Sequence, residues 1–131
     1  MIRQELTHGS GIPINKTWNE LTPEEKASVN QFYESMGPGD EPPFPALGLK
    51  PIHRAMAKLQ QALLVSGELY LMATVDRNGN VVQIKAIGNP DDEMTKAAAT
   101  VLSITKFKPA LCKGVPCQMD YPFRFSFNVK H

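Results

Sequence analysis

GELYLMATVDRNGNVVQIKAIG, residues Gly67 to Gly88, is the stretch that decides the fold. Leu69, Leu71, Ala73 and Val75 alternate with other residues, as a strand with one buried face requires. Asn78-Gly79 tolerates the positive φ of a tight turn, and Val82, Ile84 and Ala86 resume the alternation on a second strand. A hairpin with one apolar face needs a cover, and the flanking sequence supplies it.

Upstream, Pro51 can open a helix in which Ile52, Met56, Leu59 and Leu63 recur at helical spacing. Downstream, NPDDEMTKAAATVLSI predicts the clearest helix of the chain. Asn89 caps it, Pro90 takes its first position, and Asp91, Asp92 and Glu93 complement the positive end of its dipole. Met94, Ala97, Ala98, Val101 and Leu102 form its buried face. KFKPAL (106–111) reads as a short extended segment. A long final strand follows, with Met119, Tyr121, Phe123, Phe125, Phe127 and Val129 on one face and Gln118, Asp120, Arg124, Ser126 and Asn128 opposite. The expected fold is α+β: a small antiparallel sheet with helices packed on one face.

Before this unit lies an extension. Residues 1–20 read as loop or mobile arm. Thr22 as N-cap, Pro23 at the first position and Glu25 in a capping box predict a helix over Thr22–Met36. Val29, Phe32, Tyr33 and Met36 form its apolar stripe, and Gly37 ends it. Four prolines between Pro38 and Gly48 mark a linker or an extended arm laid across a surface. The expected division is an arm over residues 1–48 and a compact domain over residues 49–131. A chain of 131 residues holds one modest core. Its net charge of +1 gives no global signal for nucleic acid or an anionic membrane surface. No apolar run approaches the ~20 residues that cross a bilayer. No secretory signal is read at Met1–Glu5, and a chain without its leader would read the same.

Three features from Gly67 onward resemble the C-terminal domain of TonB, the periplasmic energy transducer of Gram-negative bacteria. GELYLMATVDRNGNVVQIKAIG resembles the family's G-x-V-x-V-x-F-x-V-x-x-x-G-x-V-x-x-V hairpin. DDEMTKAAATVLSITKFKPAL resembles its small-residue helix followed by an aromatic and a K-P-A turn. KGVPCQMDYPFRFSF resembles its x-G-x-P-V hairpin and long strand. The resemblance covers about half of the chain, near residues 67–129. Phe44-Pro45-Ala46 is the nearest match to the family's Y-P-x-x-A stretch. TonB's membrane helix and its Pro-Glu/Pro-Lys spacer have no equivalent here, and Thr22–Met36 has no counterpart.

The two cysteines, Cys112 and Cys117, flank Lys113–Pro116. A redox pair is expected to have two intervening residues and a helix start nearby, and a zinc site needs about four ligands. His8, His53 and His131 are scattered. Gly114 and Pro116 form turns, so Lys113–Pro116 can be a four-residue loop with the cysteines opposed at its base and bonded. Such a bond persists in an oxidising compartment, which agrees with the periplasmic location that the resemblance implies; two reduced cysteines in a cytosolic protein are the alternative.

Elsewhere the chemistry is sparse. Asp91-Asp92-Glu93 is explained by the helix dipole. Asp76–Asn80 has the alternating oxygens of a calcium loop but lacks its later Glu, and a hairpin turn explains each residue. Trp18 and Phe32/Tyr33 read as packing groups. No phosphate loop or nucleophile motif is present, so neither catalysis nor a cofactor or metal is expected. The resemblance implies a periplasmic interaction domain whose last strand, Met119–Val129, accepts an extended segment of an envelope protein such as an outer-membrane receptor, with a link to transport and a tether to the inner membrane outside this sequence. Partner contacts are expected from Gln118, Asp120, Tyr121, Pro122, Arg124, Ser126 and Asn128. Pro122 fits a strand that is unpaired on one side. Two readings compete with it: a self-contained accessory domain of the envelope whose own N-terminal arm covers that edge, and a thiol–disulfide protein.

Overall fold

The computed structural model describes residues 13–33, 36–63, 67–88 and 92–127. Asn89, Pro90 and Asp91, and Asn128 and Val129 at the end of the predicted last strand, lie outside them, as does most of the 1–20 arm. The fold is mixed α+β. Its centre is a three-stranded antiparallel sheet of order β3-β2-β7, made by Gly67–Val75 (β2), Val81–Gly88 (β3) and Met119–Phe127 (β7). The alternation in β2 is realised, with Leu69, Leu71, Ala73 and Val75 at 0% exposure. The phase predicted for the start of β3, at Val82, needs correction. Ala73 faces Ile84 and Thr74 faces Gln83, but Val75 faces Val81. One extra residue, Val82, is accommodated as a bulge, which turns Val81 toward the core beside Ile84 and leaves Val82 exposed; Ala86 keeps the predicted phase opposite Leu71 but is exposed.

The turn is also longer than a two-residue Asn-Gly loop. The Asp76 N–H donates to the Asn80 carbonyl and the Gly79 N–H to the Asp76 carbonyl, while the Asp76 carboxylate accepts from the N–H groups of Asn78 and Asn80. The Asp76 carboxylate thus serves to cap the turn. Gly79 has φ 84°, and a Cβ there would overlap the Phe107 carbonyl oxygen. Gly79→Ala is therefore expected to cost about 2–4 kcal/mol in urea unfolding, from left-handed strain plus a clash with rigid backbone. A change below 0.5 kcal/mol, on the order of an ordinary surface substitution, would mean that the turn relaxes freely.

Lys50–Leu63 (α2) and Asp92–Ser103 (α3) cover the apolar face. Ile52 and Met56 from α2, and Met94, Ala98 and Leu102 from α3, share one buried cluster with Leu69, Leu71, Val75, Tyr121 and Phe123. Phe107–Lys108 (β4) follows α3, and the Phe107 ring meets Tyr121 edge-on at 5.1 Å.

The N-terminal half adds to this cluster. Trp18–Glu20 forms a 3₁₀ turn, and Pro23–Asn30 (α1) begins with the expected reciprocal cap between Thr22 and Glu25. The helix is shorter than Thr22–Met36. Its C-cap is Gln31, and Tyr33 is buried with its hydroxyl donating to the Asp120 carbonyl at 2.9 Å. Burial of an aromatic ring with a satisfied hydroxyl outweighs the small propensity gained by another helical turn. The proline-rich segment is an arm rather than a free linker. Phe44–Pro45 (β1) pairs antiparallel with β4, and Glu41 and Leu111 exchange two backbone hydrogen bonds. Phe44 is 1% exposed, its ring 5.7 Å from that of Trp18. Lys108 ties arm to core: its ammonium donates to the Pro42 carbonyl, pairs with Glu41 and lies 5.4 Å from the Trp18 ring centre. Burial lowers its pKa.

Three carboxylates hold the arm by accepting backbone N–H bonds: Glu20 from Thr17, Glu25 from Thr22, and Asp40 from Lys113 and Gly37. These bonds keep all three below the usual carboxylate range. A depressed pKa gives stability that is complete above the unfolded value of about 4 and is lost as pH falls through the folded values. Acidification is therefore expected to redden Trp18 fluorescence, the signal of the only Trp, before far-UV circular dichroism reports loss of the sheet. Coincident transitions would count against a separately acid-labile arm.

Candidate functional site: the outer strand β7

β7 pairs with β2 on one side and is an edge of the three-stranded sheet. Its odd-numbered residues turn inward. Tyr121 and Phe123 are buried, Phe125 is partly buried, and the Tyr121 hydroxyl pKa is raised by complete burial. The Tyr121 side chain is therefore not offered at the edge. Even-numbered residues occupy the other face, where Pro122 is buried and Asp120, Arg124 and Ser126 are joined to β2. Asp120 accepts from the Thr74 hydroxyl at 2.8 Å. Arg124 pairs with Glu68 at 2.7 Å and lies over the Tyr70 ring, and the Ser126 hydroxyl also reaches Glu68. Gln118 is exposed just before the strand.

The direction of the backbone groups follows from two observations. The Asp120 carbonyl accepts from Tyr33, which lies outside the ladder. Pro122, opposite Met72, has no N–H to give. In an antiparallel pair, a residue's N–H and C=O point to the same side and alternate along the strand. Asp120, Pro122, Arg124 and Ser126 thus direct their main-chain groups away from β2, and Tyr121, Phe123 and Phe125 direct theirs toward it. Tyr33 occupies the start of the outer edge. The partners Tyr33, Glu68, Tyr70 and Thr74 were missed in the sequence; for Tyr33 the available signal was an aromatic pair next to a helix end. The proline arm pairs with β4 and with Leu111, not with β7.

Just before β7, Ala110–Cys112 (β5) and Val115–Cys117 (β6) form a small hairpin. The predicted four-residue loop is corrected to a two-residue turn: Cys112 faces Val115, Leu111 faces Pro116 and Ala110 faces Cys117, and Lys113 and Gly114 both have positive φ. The cysteines are bonded, but diagonally rather than directly opposed, with Cα atoms 5.8 Å apart. Asp40 and Gly39 accept from the N–H groups of Lys113 and Gly114, so the arm grips the hairpin tip. Reduction is expected to cost about 2 kcal/mol on the loop-entropy estimate while leaving the sheet intact. Urea unfolding with and without reductant, alongside intact mass after alkylation, measures this; an unchanged midpoint would show that strain offsets the entropic gain.

Among the described residues, no helix is long and apolar enough to cross a membrane. No curated protein gives a significant match to the chain. A family profile does: residues 59–129, more than half of the chain and spanning β2 to β7, match the description Gram-negative bacterial TonB protein C-terminal. The hairpin, covering helix and long edge strand described above all fall within that match, and on this ground the chain belongs to the Gram-negative bacterial TonB protein C-terminal family.

Proposed function

We propose that this TonB-like envelope domain binds an extended segment of a protein partner, such as an outer-membrane receptor, by adding it as a strand to the outer edge of β7 in the periplasm. The observation that carries the reading is the edge position of β7 in the β3-β2-β7 sheet, with the proline arm paired elsewhere. Main-chain bonds to the exposed Ser126, through its N–H and carbonyl, supply affinity with little sequence demand. Tyr33 occupies the strand's start and Pro122 is buried, so the added segment lies along the C-terminal end of β7. Arg124 and Ser126 then border the partner's side chains; Gln118, Asp120 and Tyr121 lie at or before the start that Tyr33 occupies, and Asn128 is outside the described residues. A tether to the inner membrane, outside this sequence, would keep the domain within reach of such a partner. No catalytic step is part of this role.

The competing reading, a self-contained accessory domain, draws on the Tyr33–Asp120 hydrogen bond, which places one arm residue against the edge. Amide chemical-shift mapping separates the two. Titration with an extended peptide from a candidate receptor should shift amides of β7 from Phe123 onward together with the facing residues of β2. Shifts confined to α2 and α3, with β7 unmoved, would exclude strand addition.

A further inference from the structure

The near-neutral total of 14 Lys and Arg against 13 Asp and Glu hides a local imbalance. α2 carries Lys50, His53, Arg54 and Lys58 and no acidic residue. Lys50, Arg54 and Lys58 recur every four residues along one exposed stripe, and none of them is in an ion pair among the described residues. Pro51 and Ala55, next to this stripe, line a groove of about 390 Å³ between α2 and the end of α3. Among the described residues, no acidic side chain lines it. The Lys106 ammonium beside it is held by the Asn78 carbonyl and the Asn80 side-chain oxygen, both neutral, so its charge is not cancelled.

The groove's lips are Leu47, 78% exposed, and Ile104, 80% exposed. They are the most exposed large apolar side chains among the described residues and project from two separate turns at one place. Leaving both in water gains the fold nothing. A complementary surface must be apolar at its centre and negatively charged around it. The interfacial zone of an anionic bilayer has both properties.

We infer that this face docks the domain on an anionic phospholipid surface, with Leu47 and Ile104 inserted below the phosphates and Lys50, Arg54, Lys58 and Lys106 among them. Protrusion from turns favours this over an acidic protein segment, which would seat its own apolar anchor in a pocket. The face shares no residue with β7, so it does not depend on the strand-addition reading.

Co-sedimentation of the full chain with phosphatidylglycerol/phosphatidylcholine vesicles, against phosphatidylcholine alone, tests this. Binding is expected only to the anionic vesicles, and to weaken as salt is raised. The double variants Leu47→Asp/Ile104→Asp and Lys50→Glu/Arg54→Glu should each lower binding about tenfold or more, with an unchanged circular dichroism spectrum. The β7 variant Ser126→Pro should bind vesicles as the parent does. Equal sedimentation with neutral vesicles, no effect of either double variant, or binding to polyglutamate with none to vesicles would overturn the proposal.

Discussion

Replacing Phe44 by alanine is expected to lower the unfolding free energy by about 3–5 kcal/mol, a large part of the total stability of an ordinary domain. Phe44 is 1% exposed, packs on Trp18, and stands in the two-residue strand that pairs with β4. Its removal opens a cavity bounded by β4 and the N-terminal turn, neither of which can close it cheaply, because the arm is fixed by Lys108 and by the Glu41–Leu111 bonds. The same packing bears on where the chain can be cut. We propose that residues 49–131 are the folding unit and that the arm reinforces it. A fragment starting at Leu49 should keep the amide signature of the β3-β2-β7 sheet. It should also be several kcal/mol less stable, having lost Trp18, Leu21, Val29 and Phe44 from the core. Urea unfolding of Phe44→Ala, together with limited proteolysis of the fragment, tests both statements. A loss below about 1 kcal/mol would show that the arm rests on a core complete without it. Rapid digestion of the whole fragment would show that the arm is indispensable.

The elements legible in the sequence were those whose signal is local and repeated. Leu69 to Val75 and the Tyr121–Phe125 alternation each place several apolar residues on one face, so their burial follows from period alone. The Thr22–Glu25 cap depends on residues three apart and was equally readable. What escaped was decided by single contacts between distant segments. The bulge at Val82 shifts the phase only at the start of β3, exchanging Val81 for Val82, and the apolar run Val81-Val82 contains no mark of which valine turns inward. α1 ends early because Tyr33 reaches Asp120, far along the chain. The cysteine bond was read correctly and its geometry was not: Lys113 adopts a positive φ that sequence does not advertise for lysine, which shortens the loop to two residues. At the candidate site, the strand and its inward face were readable, whereas the β2 partners of Asp120, Arg124 and Ser126 depend on strand register.

Proline substitutions one residue apart on β7 are expected to have opposite effects, and this contrast is the sharpest test of the site. The direction of the backbone at Asp120 and the presence of Pro122 put the Ser126 N–H outside the ladder and the Phe125 N–H inside it. Ser126→Pro then removes a donor that β2 does not use. Stability should change by about 1 kcal/mol or less, while an added peptide loses a main-chain bond and the close approach of its own strand. Affinity should fall about tenfold or more, since each 1.4 kcal/mol is a factor of ten. Phe125→Pro removes a donor that β2 does use. It leaves a carbonyl of β2 without its partner and forces the ring from its place beside His53 and Phe123. The expected cost is about 2–4 kcal/mol beyond that of Phe125→Ala, which accounts for the ring alone. Urea unfolding gives the stability of all three variants, and calorimetric titration with a receptor-derived peptide gives the affinity of those that fold. If Ser126→Pro unfolds the sheet while Phe125→Pro is tolerated, the edge faces the other way. If Ser126→Pro folds and binds unchanged, the partner does not add to β7.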